Sequence, residues 1–330
     1  MARFPKRLRA RKADCQPAAP STFESEDVSD EKVDQLRVVV NQLGQALITG
    51  VLLSGVYALM SSGLVLTFGV MRIINLAQGA FIVLGAYLTY LFFTDYGIDP
   101  FVSIALSIPL MFALGVALEV LLIRPLTFKK QSLSVLMTWG MALGIEGALV
   151  YIYGSDLRAI RPGYVDSSWR IGGYTLVEVR VYAFVLSLMA LVGLYLILQH
   201  TRGGRAIRAT AGNPDAARLL GINSQRVSAL AFGLGTATAA IAGAVFGLVV
   251  SFSPTNHQDL IGRLLTVVVL GGLGSFRGAL AAALLLGVSE SLVQVYVSPA
   301  WGLFPFYVLL LAIVTVRPQG LFGEGEVRTV

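Results

Sequence analysis

The sequence predicts an all-α fold: a polytopic membrane bundle of about eight or nine transmembrane helices, with a broken or re-entrant segment and a short cytoplasmic helix. Of the 330 residues, 55% are hydrophobic and only 13% are charged, whereas soluble domains carry about a quarter charged residues. The charges also lie between long neutral stretches, as in proteins that cross a bilayer several times. These two observations exclude an ordinary soluble enzyme.

The chain divides into three parts by composition. Residues 1–37 begin with six Arg and Lys side chains and continue with an acidic block that has few apolar residues. No apolar segment directly follows the basic start, so no secretory signal is expected. We predict a disordered, charged extension over residues 1–37, rather than a docking arm. The membrane domain is expected over residues 38–323, and a tail over residues 324–330.

Apolar runs follow one another through the membrane domain, and most can supply the roughly 20 residues that a spanning helix needs. They cover residues 38–71, 73–94, 100–118, 131–155, 181–199, 227–256, a shorter stretch ending at 274, 278–297 and 303–316.

Basic residues indicate the orientation. The loop over residues 200–227 holds five arginines against one acid, so we place it in the cytoplasm. Arg124 marks a second cytoplasmic loop, residues 155–180 are nearly balanced in charge and fall outside, and Arg277 and Arg317 then fall inside.

The first apolar run conflicts with this scheme. Counting backwards puts Arg72 inside, so a single pass through residues 38–71 would leave the basic N-terminal segment outside, against the positive-inside rule. Either the first run contains a broken or re-entrant segment, or the acidic block allows the tail to cross.

Small residues recur at helical spacing in three runs. Such faces let helix backbones approach closely in lipid, so they predict tight packing or a subunit contact. The sets are Gly50 with Ser54, Gly140 with Gly144, and Ala239 with Gly243 and Gly247.

A polar, flexible stretch, Asn75-Leu76-Ala77-Gln78-Gly79, interrupts the apolar sequence. An interrupted helix is tolerated in lipid only where its backbone groups are buried in protein or face a water-filled path. Such breaks often hold a substrate route. We therefore predict Asn75, Gln78 and Gly79 as residues of a translocation path; the alternative is an interfacial loop with no special role.

The cytoplasmic loop carries the signals of a short helix. Asn213 is a good N-cap, Pro214 fits the first helical position, Asp215 suits the positive helix end, and Gly221 can act as the C-terminal cap. A protein partner is the natural reason for such a helix. The alternative is a plain basic loop that anchors the topology.

Three carboxylates lie within the apolar runs, where a charge costs several kcal/mol by some scales. Glu119 is about one helical turn from Arg124, which favours snorkelling to the interface. Glu146 and Glu290 lie deeper, and each either makes a buried hydrogen bond or lines the path. An ion- or proton-coupled secondary transporter using these two acids is therefore an alternative function, and a membrane-embedded enzyme is a third.

The sequence gives no support for a disulfide, a metal site or nucleic-acid binding. Cys15 is alone, and His200 and His257 lack metal-ligand spacing. No nucleic-acid-binding module is visible despite the net charge of +6. We predict no catalytic residues, no cofactor and no metal.

Four ordered stretches carry a family resemblance. Asp215-Ala216-Ala217, followed after three residues by Gly221, resembles the Glu-Ala-Ala to Gly pattern by which permease subunits of ATP-binding-cassette (ABC) importers engage their ATPases. Residues 69–79, 205–222, 267–275 and 317–323 together resemble the branched-chain amino acid permeases of the LivH/LivM type, with LivH the closer. The resemblance covers about residues 42–323.

The resemblance implies a permease subunit in the cytoplasmic (inner) membrane of a bacterium or archaeon, which passes a small polar solute such as a branched-chain amino acid. Its implied partners are a second homologous permease subunit, two ATP-binding subunits, an extracytoplasmic substrate-binding protein and membrane lipid, but no nucleic acid. No Gly-x-x-x-x-Gly-Lys-Ser/Thr sequence occurs here, so the partners must hydrolyse the ATP. The implied ATPase-coupling residues are Asn213, Pro214, Asp215, Ala216, Ala217, Arg218 and Gly221.

The stretch around the break departs from the family pattern. Members often have a histidine followed by Gly-Glu where this chain has Gln78-Gly79-Ala80. An ionisable group is therefore missing at the predicted path.

Overall fold

The computed structural model describes residues 24–127, 131–163, 167–171, 173–317 and 319–322. Residues 1–23 of the predicted extension and the predicted tail over residues 324–330 lie outside this range. The first helix begins at Glu24, so residues 24–37 are helical where the sequence favours disorder.

The described chain is mainly helical, with one hairpin. Strands β1 (Ser168–Ile171) and β2 (Tyr174–Val177) pair antiparallel. A π-helical turn, Glu119–Ile123, continues α3, and short 3-10 turns precede α10 and α12. The helices are α1 Glu24–Met71, α2 Gln78–Tyr96, α3 Pro100–Leu118, α4 Arg124–Thr127, α5 Gln131–Tyr153, α6 Glu178–His200, α7 Arg202–Gly212, α8 Pro214–Leu219, α9 Ser224–Val249, α10 His257–Gly271, α11 Phe276–Tyr296 and α12 Phe304–Val316.

Eight helical stretches in the described residues are long and apolar enough to cross a membrane, which confirms the predicted polytopic helical bundle. They lie on α1, α2, α3 with its π-helical turn, α5, α6, α9, α11 and α12. The short run ending at residue 274 forms α10. With 15 residues, α10 is only about 22 Å long, and it packs between α2, α11 and α12.

Helix α9 lies at the centre of the bundle because its small residues allow the backbones of other helices to approach closely. A Cβ atom on Gly243 would collide with the Ile82 carbonyl oxygen of α2, and one on Gly85 would lie 2.9 Å from the Ala240 Cα. Gly50 of α1 is equally close to α11, since its Cβ would lie 2.7 Å from the Val288 Cα. Tight packing is therefore confirmed for these two sets of small residues.

The glycines of α5 behave differently. A Cβ atom on Gly140 or Gly144 would have no heavy atom within 4 Å in the described part of the chain. This stripe does not pack inside the described bundle, so contact with lipid or another subunit stays a prediction.

The part of α1 from Gln45 to Met71 crosses the whole bundle without a break. At one end, Gln45 exchanges two hydrogen bonds with the Thr175 backbone of the hairpin, at 2.7 and 3.0 Å. At the other end, Leu66 and Val70 pack with Ile207 of the cytoplasmic loop. A break within the first run, one of the two explanations for the orientation conflict, is therefore wrong.

The break lies just after α1. Arg72 ends the helix in the left-handed region, with φ at 53°, and α2 begins only at Gln78. The Gln78 side-chain amide donates to the Gly235 carbonyl of α9, at 3.2 Å. Gly235 lies about three turns, or about 16 Å, from the start of α9. Helix α2 therefore begins inside the bundle, and the break in the helical structure lies between α1 and α2.

Candidate functional site

The loop over residues 200–227, predicted to face the cytoplasm, folds into two helices, α7 and α8, where the sequence predicts only one. Thr201 caps α7 by accepting a hydrogen bond from the Gly204 amide at 2.9 Å. Ile207 is buried against α1, α6 and α9, in a cluster with Leu66, Leu194 and Val227. The apolar face of α7 therefore attaches the loop to the membrane helices.

The caps predicted for α8 are confirmed. The Asn213 side chain accepts hydrogen bonds from the Asp215 and Ala216 amides, at 3.1 and 3.0 Å. At the other end, the Gly221 amide donates to Arg218, the Ile222 amide donates to Ala217, and Gly221 has φ of 80°. This pair of bonds is a Schellman motif, and the left-handed residue in it strongly favours glycine.

Helix α8 presents an apolar tip to its surroundings. Ala217 is buried, whereas Leu219 and Leu220 are 89% and 81% exposed. Asp215 and Arg218 form an exposed ion pair at 3.6 Å on the same helix. The sequence analysis missed the two leucines, although an apolar pair directly before a glycine cap in a polar loop is a readable signal.

A cavity of about 280 Å³ lies at the opposite end of the bundle, between α1, α6, α9, α10 and α11. Thr49, about one turn from Gln45, lines it, as does Arg180 near the start of α6. These positions put the cavity on the side of the hairpin, the end predicted to face outside. Its walls are mostly apolar, with Leu53, Phe246 and Leu260 among them.

The base of this cavity is a buried ion pair. Arg263 of α10 donates to Glu290 of α11 at 2.9 Å, and Tyr57 of α1 donates to the other carboxylate oxygen at 2.5 Å. Arg263 also donates to the Tyr57 hydroxyl and lies 5.4 Å from the centre of the Phe306 ring. Gln294 adds a fourth hydrogen bond, to Glu290 at 3.1 Å. Three helices are thereby joined through one carboxylate.

Glu146 lies elsewhere and pairs with a histidine. Its carboxylate is 3.6 Å from Nε2 of His257, which begins α10. The other ring nitrogen of His257 is 3.2 Å from the Pro254 carbonyl oxygen. Sequence reasoning set His257 aside because it lacks metal-ligand spacing, and nothing in the linear pattern pairs it with an acid 111 residues earlier.

The residues predicted at the break are buried rather than grouped around the cavity. The Asn75 side chain accepts a hydrogen bond from the Ala77 amide at 3.1 Å. Gly79 allows close approach to α10, since a Cβ atom there would lie 2.6 Å from the His257 carbonyl oxygen. Of the predicted path residues, only Glu290 lines the outer cavity; Asn75, Gln78, Gly79 and Glu146 lie deeper in the bundle or on another face.

Glu119 has the partner that the sequence predicts. Arg124 donates to its carboxylate at 3.0 Å, and the same guanidinium reaches the Gln225 carbonyl oxygen at 3.4 Å. The Glu119 side chain is only 2% exposed and the Arg124 side chain 27%, so this carboxylate makes a buried ion pair rather than snorkelling to the interface.

Comparison with known families decides what the bundle is. Residues 46–314 match the family described as "Branched-chain amino acid transport system / permease component". The chain belongs to this family. The permease is accordingly a multi-pass protein of the cytoplasmic membrane and a membrane component of an ABC transporter, not itself an enzyme.

Full-length relatives agree with this assignment. The permease is 29% identical over 300 residues to the high-affinity branched-chain amino acid transport system permease protein LivH of Salmonella typhimurium, covering 87% of this chain and 97% of the relative. It is 30% identical over 299 residues to BraD of Pseudomonas aeruginosa, with the same coverages. A probable LivH of Methanocaldococcus jannaschii is 26% identical over 305 residues. No solved structure gave a significant match.

Proposed function

We propose that the permease forms part of the translocation path for branched-chain amino acids, and that separate ATP-binding subunits drive alternating access. The observation that carries this proposal is α8, a rigidly capped helix with an exposed leucine pair, in a chain of this family. The names of its relatives support the choice of substrate.

Helix α8 is suited to transmit force from a partner. Its apolar tip, Leu219 and Leu220, offers desolvation energy to a groove, while Ala217 is buried on the inner face. The Asn213 amide donates to Ala209 at 3.1 Å, which ties α8 to α7. Because α7 packs on α1, α6 and α9, a displacement of α8 reaches the membrane helices through these contacts. Asn213, Pro214, Asp215, Ala216, Ala217, Arg218 and Gly221 are the proposed ATPase-coupling residues.

The proposed assembly contains two permease subunits, two ATP-binding subunits and an extracytoplasmic substrate-binding protein. The sequence contains no Gly-x-x-x-x-Gly-Lys-Ser/Thr loop, so the ATP-binding subunits must supply the energy. Purification of the tagged permease from native membranes, followed by mass spectrometry, should recover two Walker-motif ATPases and a second permease. Recovery of the permease alone under crosslinking would contradict the proposed assembly.

The proposed path residues are Glu290 at the cavity and Asn75, Gln78, Gly79 and Glu146 deeper in the bundle. If the break belongs to the path, alanine at Asn75 and Gln78 should change the uptake kinetics; unchanged kinetics would remove both residues from it. The relatives, which are named as permease proteins of branched-chain amino acid transport systems, give no support to the ion-coupled alternative, and Glu290 has Arg263 as its counter-ion.

The coupling role can be tested on the leucine pair. We expect a variant with both Leu219→Asp and Leu220→Asp to lower leucine uptake at least tenfold while the permease still inserts, because two carboxylates would have to be desolvated in the partner groove. Leu157→Asp is the matched control, since Leu157 is 71% exposed in the outer loop. Asp215→Lys and a bulky residue at Gly221 should also uncouple transport. Normal uptake by all three coupling variants would contradict the assignment.

A further inference from the structure

The outer cavity combines apolar walls with charges of both signs near its opening. Val250, Ser251 and Asp259 line the cavity and are exposed, so they mark its mouth. Tyr57 and Glu290 are buried and mark its base. A solute entering from the hairpin side would pass the exposed Asp259 before it reaches the ion pair.

The two charges of the ion pair at the base already compensate each other. Glu290 receives hydrogen bonds from Arg263, Tyr57 and Gln294, which leaves little capacity for an entering ammonium group. The charges that can recognise a ligand are therefore the remaining two, Arg180 of α6 and Asp259 of α10.

Arg180 and Asp259 line the cavity from different helices. Neither forms an ion pair within 4.0 Å among the side chains that the structure describes. The cavity thus presents one cation and one anion that are not paired with each other. The same cavity is also lined by apolar side chains, including Val56, Met60 and Phe246.

We propose that this cavity binds a zwitterionic amino acid with an apolar side chain, with its carboxylate on Arg180, its ammonium group on Asp259 and its side chain on the apolar wall. The arrangement disfavours an ion of one sign, since Arg180 and Asp259 bring charges of opposite sign to the same cavity. This proposal rests on the proposed transport function and assigns to this chain a substrate site of its own, separate from the binding protein.

The test uses the assembled transporter in lipid nanodiscs, without the binding protein, and three probes. Leucine carries both charges, N-acetyl-leucine carries only the carboxylate, and leucinamide carries only the ammonium group. We expect wild type to prefer leucine to both analogues. Asp259→Asn should weaken leucine binding about tenfold to a hundredfold, as expected for the loss of a hydrogen bond to a charged group, yet leave N-acetyl-leucine binding unchanged. Arg180→Gln should likewise weaken leucine binding, yet leave leucinamide binding unchanged.

Asp95→Asn and Arg161→Gln are the matched controls, since both residues are exposed and neither lines the cavity. The loss of preference for the doubly charged probe separates recognition from damage to folding, which would weaken all three probes together. No leucine binding to wild type, or equal leucine binding by wild type and both variants, would overturn the proposal. Unchanged leucine binding with weaker docking of the binding protein would also overturn it.

The proposed function has its own readout, namely ATP-dependent leucine uptake by the wild-type assembly with its binding protein. Uptake without discrimination among the probes would refute the cavity site alone. Absence of amino-acid uptake would refute the proposed function.

Discussion

Removing one partner of the ion pair at the base of the cavity should destabilise the permease more than removing both. Arg263→Met leaves the Glu290 carboxylate, whose side chain is 2% exposed, with hydrogen bonds from Tyr57 and Gln294 but without its counter-ion. Breaking a buried pair in this way costs about 3–5 kcal/mol. The Arg263 side chain is 23% exposed, which places the cost at the lower end, about 3 kcal/mol.

The double variant Arg263→Met, Glu290→Leu removes both charges and fills the site with apolar atoms. Replacing a buried pair by well-packed apolar groups is often neutral, so the double variant should be more stable than the single variant. At about 2–4 °C per kcal/mol, Arg263→Met should lower the unfolding midpoint by roughly 6–12 °C.

The assay is thermal unfolding in mild detergent, followed by size-exclusion chromatography of a fluorescent fusion. Arg226→Met is the control, because Arg226 is exposed at the start of α9 and should leave the midpoint unchanged. A double variant as unstable as the single variant, or a single variant indistinguishable from the control, would refute the reasoning.

Three further changes have expected outcomes of their own. Gly243→Ala should destabilise the bundle by about 1–3 kcal/mol through overpacking against α2, whereas Gly140→Ala, which meets open space, should leave the unfolding midpoint unchanged; equal midpoints would contradict the packing of α9. Asn213→Ala should remove about 1 kcal/mol of capping from α8 and lower the coupling of ATP hydrolysis to uptake, so retention of full coupling would show that the cap is dispensable. Tyr57→Phe removes the hydrogen bond to Glu290 and should cost about 1.5 kcal/mol, less than Arg263→Met; a larger loss would mean that the hydroxyl and not the guanidinium holds the carboxylate.

The sequence predicted those features of the fold that depend on residues close together in the chain. Apolar runs of sufficient length predicted the spanning helices, and the caps of α8 followed from Asn213, Pro214 and Gly221. The pairing of Glu119 with Arg124 was readable because the two residues are five positions apart.

Long-range pairing could not be read in the same way. Glu290 meets Arg263 across 27 residues and Tyr57 across 233, and each contact depends on how the helices pack. Helix α7 was missed because the arginines of its loop already had an explanation as topology signals. The small residues of α5 and α9 look alike in sequence, yet only those of α9 pack inside the chain.

The break between α1 and α2, residues 72–77, imposes an order on assembly in the cell. A non-helical stretch cannot rest in lipid with unpaired backbone groups, and here the Leu76 amide relies on the Thr138 hydroxyl of α5, at 3.2 Å. Gln78 relies on the Gly235 carbonyl of α9, which is synthesised 157 residues later, or roughly 8 to 30 s at about 5–20 residues per second. During that interval the start of α2 must be sheltered by the insertion machinery or by water. The packing of α1 and α2 is therefore complete only when α9 has been made. A ribosome stalled before α9 would leave the break between α1 and α2 without this partner, and the incomplete chain would be open to degradation.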